Sequence, residues 1–192
     1  MMQNCRTPIP DGTLIDYWTR DLADEGATDR VEEHLFACGD CSARLHSLAA
    51  LGAGLARLVR LGRVAGIVSR GLLNRMQRDG VHVRMYSLLP GETVPCGVFP
   101  GDDLVVVAMA ADFSGAEAVT LSVVTGPESS PMSEIDDVPV SGMDRELLWA
   151  TPASAVRQLP STRVQLTLRS AGVMRTLLGT YALDHSAVAP SA

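Results

Sequence analysis

The chain contains no lysine. All 16 of its basic residues are arginine, set against 22 carboxylates, for a formal charge of −6. An acidic total with aromatics at only 4% argues against a direct nucleic-acid binder, which needs a basic face. Four cysteines in 192 residues are too few for a disulfide scaffold. Long apolar runs are missing too. The most apolar region, 48–73, is interrupted by Arg57, Arg60, Arg63 and Arg70, whereas a membrane span needs about 20 apolar residues in succession. The start lacks the charged, apolar and small-residue order of a secretory leader. No Gly-x-Ser-x-Gly, phosphate loop or dinucleotide fingerprint is present, so the familiar catalytic signatures are absent. The expectation is a non-enzymatic, soluble protein of the reducing cytoplasm. With 46% hydrophobic residues, it has enough apolar surface for one or two domains.

Against these absences one stretch stands out: Val31-Glu-Glu-His34-Leu-Phe-Ala-Cys38-Gly-Asp-Cys41. His34, Cys38 and Cys41 are spaced by four and three. On a helix of about 3.6 residues per turn they share a narrow stripe. Two thiolates and an imidazole on that stripe supply three corners of a tetrahedral zinc site. The plainer readings are a pair of small buried cysteines or a thioredoxin-like redox pair. The redox pair would require a preceding strand and a βαβ pattern, and here the flanks read as helical. Glu33 offers a general base for a zinc hydrolase, but on a helix it points about 100° away from His34.

Residues 1–12 read as a lead-in broken by Pro8 and Pro10, with Cys5 inside it. Leu14, Ile15, Tyr17, Trp18 and Leu22 fit a short amphipathic helix capped by Asp11 or Thr13 and ended by Gly26. Asp29 and Glu32 give a capping signal for the helix carrying His34. Leu45, Leu48, Leu51, Leu55 and Leu58 continue a helical pattern that Gly52 and Gly54 weaken and Gly62 bends or ends. A further helix is expected over 63–78, with Val64, Val68 and Leu72 on one side and Arg63, Arg70, Asn74 and Arg78 on another. Charge divides this half. Residues 1–40 hold nine carboxylates and three arginines, and residues 41–78 hold seven arginines and no acid. That is either a solvated face or a surface suited to an acidic protein partner.

From Val81 the apolar period shortens to two, which signals strands. They are expected at 81–86, 93–98, 104–108, 118–125, 146–150, 163–169 and 173–183, separated by turn signals such as Pro90-Gly91 and Gly126-Pro127. Residues 128–137 read as an exposed loop and the tail from Ser186 as frayed. The implied architecture is α+β in two domains. A zinc-binding helical bundle over 1–79 precedes an antiparallel β-sandwich over 80–192. Cys96 reads as a core residue of a strand.

The helical half resembles the zinc-containing anti-sigma factors, which hold bacterial extracytoplasmic-function sigma factors inactive. The likeness rests on His34, Cys38 and Cys41, the helix Leu14-Ile15-Asp16-Tyr17, the turn Asp24-Glu25 and the run Val31–Leu35, and covers about residues 5–78. The resemblance implies a Zn2+ cofactor, a sigma-factor partner and regulation of transcription initiation. It also implies a fourth ligand in the register that here falls at Ile9, which binds no metal. Cys5 is the nearest thiol, and His46 lies off the ligand stripe. A three-ligand, water-completed or metal-free site stays open. One branch of the family carries a metal-binding cupin, but 81–192 holds only His82 and His185. The expected sigma-factor contact is the apolar face over 51–72, edged by arginine. Oxidation of Cys38 or Cys41 would remove ligands and release the partner, and a signal at the β domain is the other route. The alternative function is a zinc-containing regulatory module that binds another protein or nucleic acid.

Overall fold

The computed structural model describes residue 5 and residues 7–60, 65–126, 133–171 and 175–187. The expected bend at Gly62, the residues Arg63 and Val64, the first part of the 128–137 loop, the start of the last strand and the tail beyond Ala187 lie outside them. Helices occupy the N-terminal part and two sheets the C-terminal part. The chain divides into two compact units, Met1–Leu58 with Ser69–Gly80, and Val59–Val68 with Val81–Ala192. No helix among the described residues is long and apolar enough to cross a membrane.

The helical unit contains α1 (Asp11–Thr19), α2 (Glu25–Ala37), α3 (Gly39–Arg60) and α4 (Arg70–Arg78). Leu14 of α1 is fully buried, and it clusters with Ile9, Val31 and Cys41. The α2 cap is Asp24, whose side chain accepts the Ala27 N–H at 2.6 Å. Asp29 therefore sits inside the helix instead of starting it, and Gly26 lies in its first turn. The expected side-chain cap on α1 is also corrected: Pro10 occupies that position and no side chain caps it. Gly52 is required by packing. A Cβ there would lie 2.2 Å from the Trp18 ring, so glycine lets α1 approach α3.

The expected helix over 63–78 is shorter. Gly66–Val68 form β1, which belongs to the second unit and pairs there with residues 148–150, and α4 begins only at Arg70. Ser69 caps it by accepting the Leu72 N–H at 3.1 Å. Val68 and Leu72 are consequently not on one helix side. The domain boundary is also less simple than a cut near residue 80, because the strand-forming segment is threaded between α3 and α4. Apolar β-branched Ile67 and Val68 suit a strand, and three residues are too few to show a period.

The β unit comprises β1, β2 (Val83–Leu88), β3 (Thr93–Cys96), β4 (Leu104–Ala110), β5 (Ala118–Thr125), β6 (Ser133–Pro139), β7 (Glu146–Pro152), the short helix α5 (Ala153–Arg157), β8 (Thr162–Ser170) and β9 (Leu177–His185). One sheet runs β1-β7-β4-β2 and the other β3-β9-β8-β5-β6. A single hydrophobic cluster draws on both, including Val107 and Trp149 from the first and Leu121, Leu166 and Tyr181 from the second. The Tyr181 hydroxyl of β9 donates to the Ala110 carbonyl at 2.6 Å, a polar tie between the sheets. Leu104 to Met109 are all buried, which explains why β4 reads as a continuous apolar run.

Two features correct the expectation of an antiparallel arrangement with a loop at 128–137. The pairs β2–β4 and β3–β9 are parallel. After β2 the chain moves to the second sheet as β3 and returns as β4 beside β2, so the return strand runs in the same direction. Residues 133–137 belong to β6, an edge strand that among the described residues pairs with β5 alone in its sheet. Its Glu134, Asp136 and Asp137 made it look like a loop, yet charged residues are the usual protection of a sheet edge.

Candidate metal centre

The junction between α2 and α3 creates the site. The helix bonds of α2 end with the Cys38 N–H on the His34 carbonyl at 2.8 Å, and those of α3 begin with the Ser42 N–H on the Cys38 carbonyl at 3.1 Å. Cys38 itself is extended, with φ −126° and ψ 103°. The expected single helical stripe is therefore two helices with Cys38 at the break. The Ser42 hydroxyl donates to the Leu35 carbonyl at 2.7 Å, satisfying a C-terminal carbonyl of α2 that the helix leaves open. His34 is on α2, Cys38 is between the helices and Cys41 lies in the first turn of α3, fully buried.

The lead-in supplies the remaining donor. The sulfur of Cys5 lies 3.5 Å from His34 Nε2 and 3.9 Å from the sulfur of Cys41. The ligand atoms of Cys5, His34, Cys38 and Cys41 all fall within 4.8 Å of one another, close enough to hold a metal ion. A tetrahedral ion bonded at about 2.3 Å to sulfur and about 2.0 Å to nitrogen has edges of roughly 3.8 Å between sulfurs and roughly 3.5 Å from sulfur to nitrogen. The two measured separations match those edges. Around a bound ion, three sulfurs and one imidazole nitrogen would fill a four-coordinate sphere and leave no open position, the arrangement of structural sites. His46 is exposed and lies outside the group. Ile9 packs into the hydrophobic cluster beside the ligands.

Electrostatics distinguish the thiols. Cys38 is lowered from the ordinary thiol value to about 7, first by the Cys41 backbone N–H and then by hydrogen bonds from Cys5 and His34. The free N–H groups at the start of α3 thus favour a thiolate. Cys5 is pushed up to about 11, mainly by desolvation and then by its hydrogen bond to Cys38. Binding a metal there displaces the Cys5 proton, which ties metal uptake to proton release.

Arg44 is a site residue with no sequence signal. Its guanidinium donates to the Ile9 carbonyl at 3.0 Å and to Asp11 at 2.5 Å. Asp11 chiefly, and Cys41 to a lesser degree, push the guanidinium value up further. One side chain on α3 therefore holds the lead-in that carries Cys5 and sets a positive charge beside a ligand sulfur. Only spatial neighbours reveal this role. The other arginines of 41–78 are partly committed within the unit. Arg78 donates to the Thr19 carbonyl at 2.8 Å, closing the C-terminus of α1, and Arg75 lies 5.4 Å from the Trp18 ring. Arg75 and Arg78 thus serve contacts inside the helical unit.

In the β unit His82 is exposed and bonded to Asp103, while His185 is buried. Neither belongs to a metal-ligand group among the described residues. No family model matches the chain, and no curated protein matches it. The likeness to zinc-containing anti-sigma factors thus rests on the motif and its flanking residues alone.

Proposed function

We propose that this chain is an anti-sigma factor whose helical unit is assembled by zinc and sequesters an extracytoplasmic-function sigma factor. The observation that carries the reading is the position of Cys5, which adds a fourth donor to His34, Cys38 and Cys41. Three thiolates and one imidazole suit zinc. Zinc would pin the lead-in to the α2–α3 junction, contributing on the order of 10 kcal/mol to the fold. The chain's own residues do the rest: Arg44 orients the lead-in, and the start of α3 holds Cys38 as the thiolate. Oxidation of a ligand thiol would undo the cross-link and release the partner.

On this reading the partner surface is narrower than the face expected over 51–72. Leu72 belongs to α4, so the face is reduced to Leu51, Leu55 and Leu58 on α3, which are exposed at 62%, 38% and 39%. Their i, i+4, i+7 spacing suits a helix laid into an apolar groove. The β unit is best read as two sheets packed face to face in a sandwich, with a sensing or interaction role.

Co-expression with the sigma factor encoded beside it, followed by gel filtration, tests the proposal. The expected result is a stable complex containing zinc. Leu51→Asp with Leu55→Asp should abolish the complex while zinc content and helicity stay at wild-type level. A zinc-loaded protein that binds no sigma factor of this class would overturn the sigma-factor reading and leave the metal-assembled fold standing.

A further inference from the structure

A cavity of about 190 Å³ lies between the two sheets of the β unit. Val105, Val107 and Trp149 come from one sheet, and Cys96, Leu183 and His185 from the other. Ala155, which is exposed, and Leu159, which is half-buried, mark its opening beside α5. The wall is apolar except for the Thr125 and Thr151 hydroxyls and the imidazole. His185 is 4% exposed. On β9 it continues the inward set of Tyr181 and Leu183.

Among the described residues, the two ring nitrogens of His185 are the only buried side-chain nitrogen or oxygen atoms without a hydrogen-bond partner. Leaving a buried donor and acceptor unpaired costs folding free energy, and a leucine could occupy this position without that cost. A neutral imidazole presents one donor and one acceptor. A ligand hydroxyl can accept from one ring nitrogen or donate to the other, while an apolar body fills the remaining space. An apolar cavity of about 150 Å³ accommodates benzene, so this one has room for a substituted ring, with the Trp149 indole available for aromatic contact.

We propose that this cavity is a binding site for a small hydroxylated aromatic molecule, its ring enclosed between the sheets and its hydroxyl bonded to His185. This site is independent of the metal centre and of the sigma-factor reading.

The test uses the full, metal-loaded chain with phenol and benzene as probes, followed by calorimetry and by NMR of the His185 ring. Phenol should bind saturably, about tenfold tighter than benzene, in line with one hydrogen bond to a buried partner. The imidazole nitrogen signals should shift on phenol addition. His185→Leu should bind the two probes equally, and Ala155→Trp should weaken both. Absence of saturable binding, equal affinity for the two probes in the wild type, or bound waters on His185 that phenol does not displace would each overturn the proposal. If His185→Leu fails to fold, the wild-type comparison and the ring signals decide the question alone.

Discussion

Around Cys41 the helical unit buries Ile9, Leu14 and Val31 against the ligand group, whereas the β unit encloses a core that runs from Leu88 to Leu183 through both sheets. The contrast concerns what holds each unit together. Burial contributes roughly 25 cal/mol per Å² of apolar surface, so the larger core can sustain its own fold. The smaller cluster surrounds four donors that could hold a metal ion. On the proposed reading, a metal cross-link would stand in for hydrophobic area in the helical unit, as it does in other small folds.

Removing the metal should produce the largest effect and the clearest separation. Treatment with a chelator under reducing conditions should abolish most helical circular dichroism, a loss on the order of 10 kcal/mol. The β-sheet signal should remain. Full helicity after complete metal removal would erase the distinction between the units. A buried truncation on the other side tests the converse. Leu166→Ala, at a fully buried position, should cost about 2–5 kcal/mol in urea unfolding of the β unit, with metal content unchanged.

Smaller changes sharpen the account of the metal centre. Arg44→Ala should reduce metal affinity by roughly 10–100-fold, the usual range for a residue that orients ligands, measured by competition with a chromophoric chelator. An unchanged affinity would mean that the lead-in needs no such anchor. Asp24→Ala should destabilise α2 by about 1 kcal/mol through loss of its cap, without altering the metal stoichiometry.

The last prediction concerns pH in metal-free protein held folded by a stabilising osmolyte, which restores the helical unit without the ion. The Cys38 value lies below that of an ordinary thiol, at about 7, so folding stabilises its thiolate. That contribution is fully present above the ordinary thiol value near 9, and it is lost as pH falls through about 7. Cys5, raised to about 11, behaves oppositely: its contribution holds below the ordinary value and is lost as pH rises through about 11. Alkylation followed by mass spectrometry should therefore show Cys38 reacting with a step near pH 7, well before Cys5. Equal reactivity of the two thiols at pH 8 would count against the backbone N–H at the start of α3 as the cause.

Much of the β unit was legible because alternation along a strand is a local property. The bounds 118–125 expected for β5 are those observed. Strand partners are not local, so nothing in the order of residues announced that β2 pairs with β4 in parallel. The β6 edge was hidden because its charges face solvent and imitate a loop. The ligand spacing of His34, Cys38 and Cys41 was readable as a stripe, but the break at Cys38 was not. A residue that starts one helix by ending another leaves the same spacing.

By itself, the amino-acid order determined which residues carry metal-binding chemistry, where the periodicity changes from helix to strand, and that no long apolar run is present. These properties follow from side-chain type and near neighbours. Only the tertiary structure decided that Cys5 lies against His34, that Arg44 anchors the lead-in, and that His185 faces a cavity with neither ring nitrogen paired. Each is a contact between residues far apart in the chain, set by how whole elements pack, and such contacts leave no trace in a local pattern.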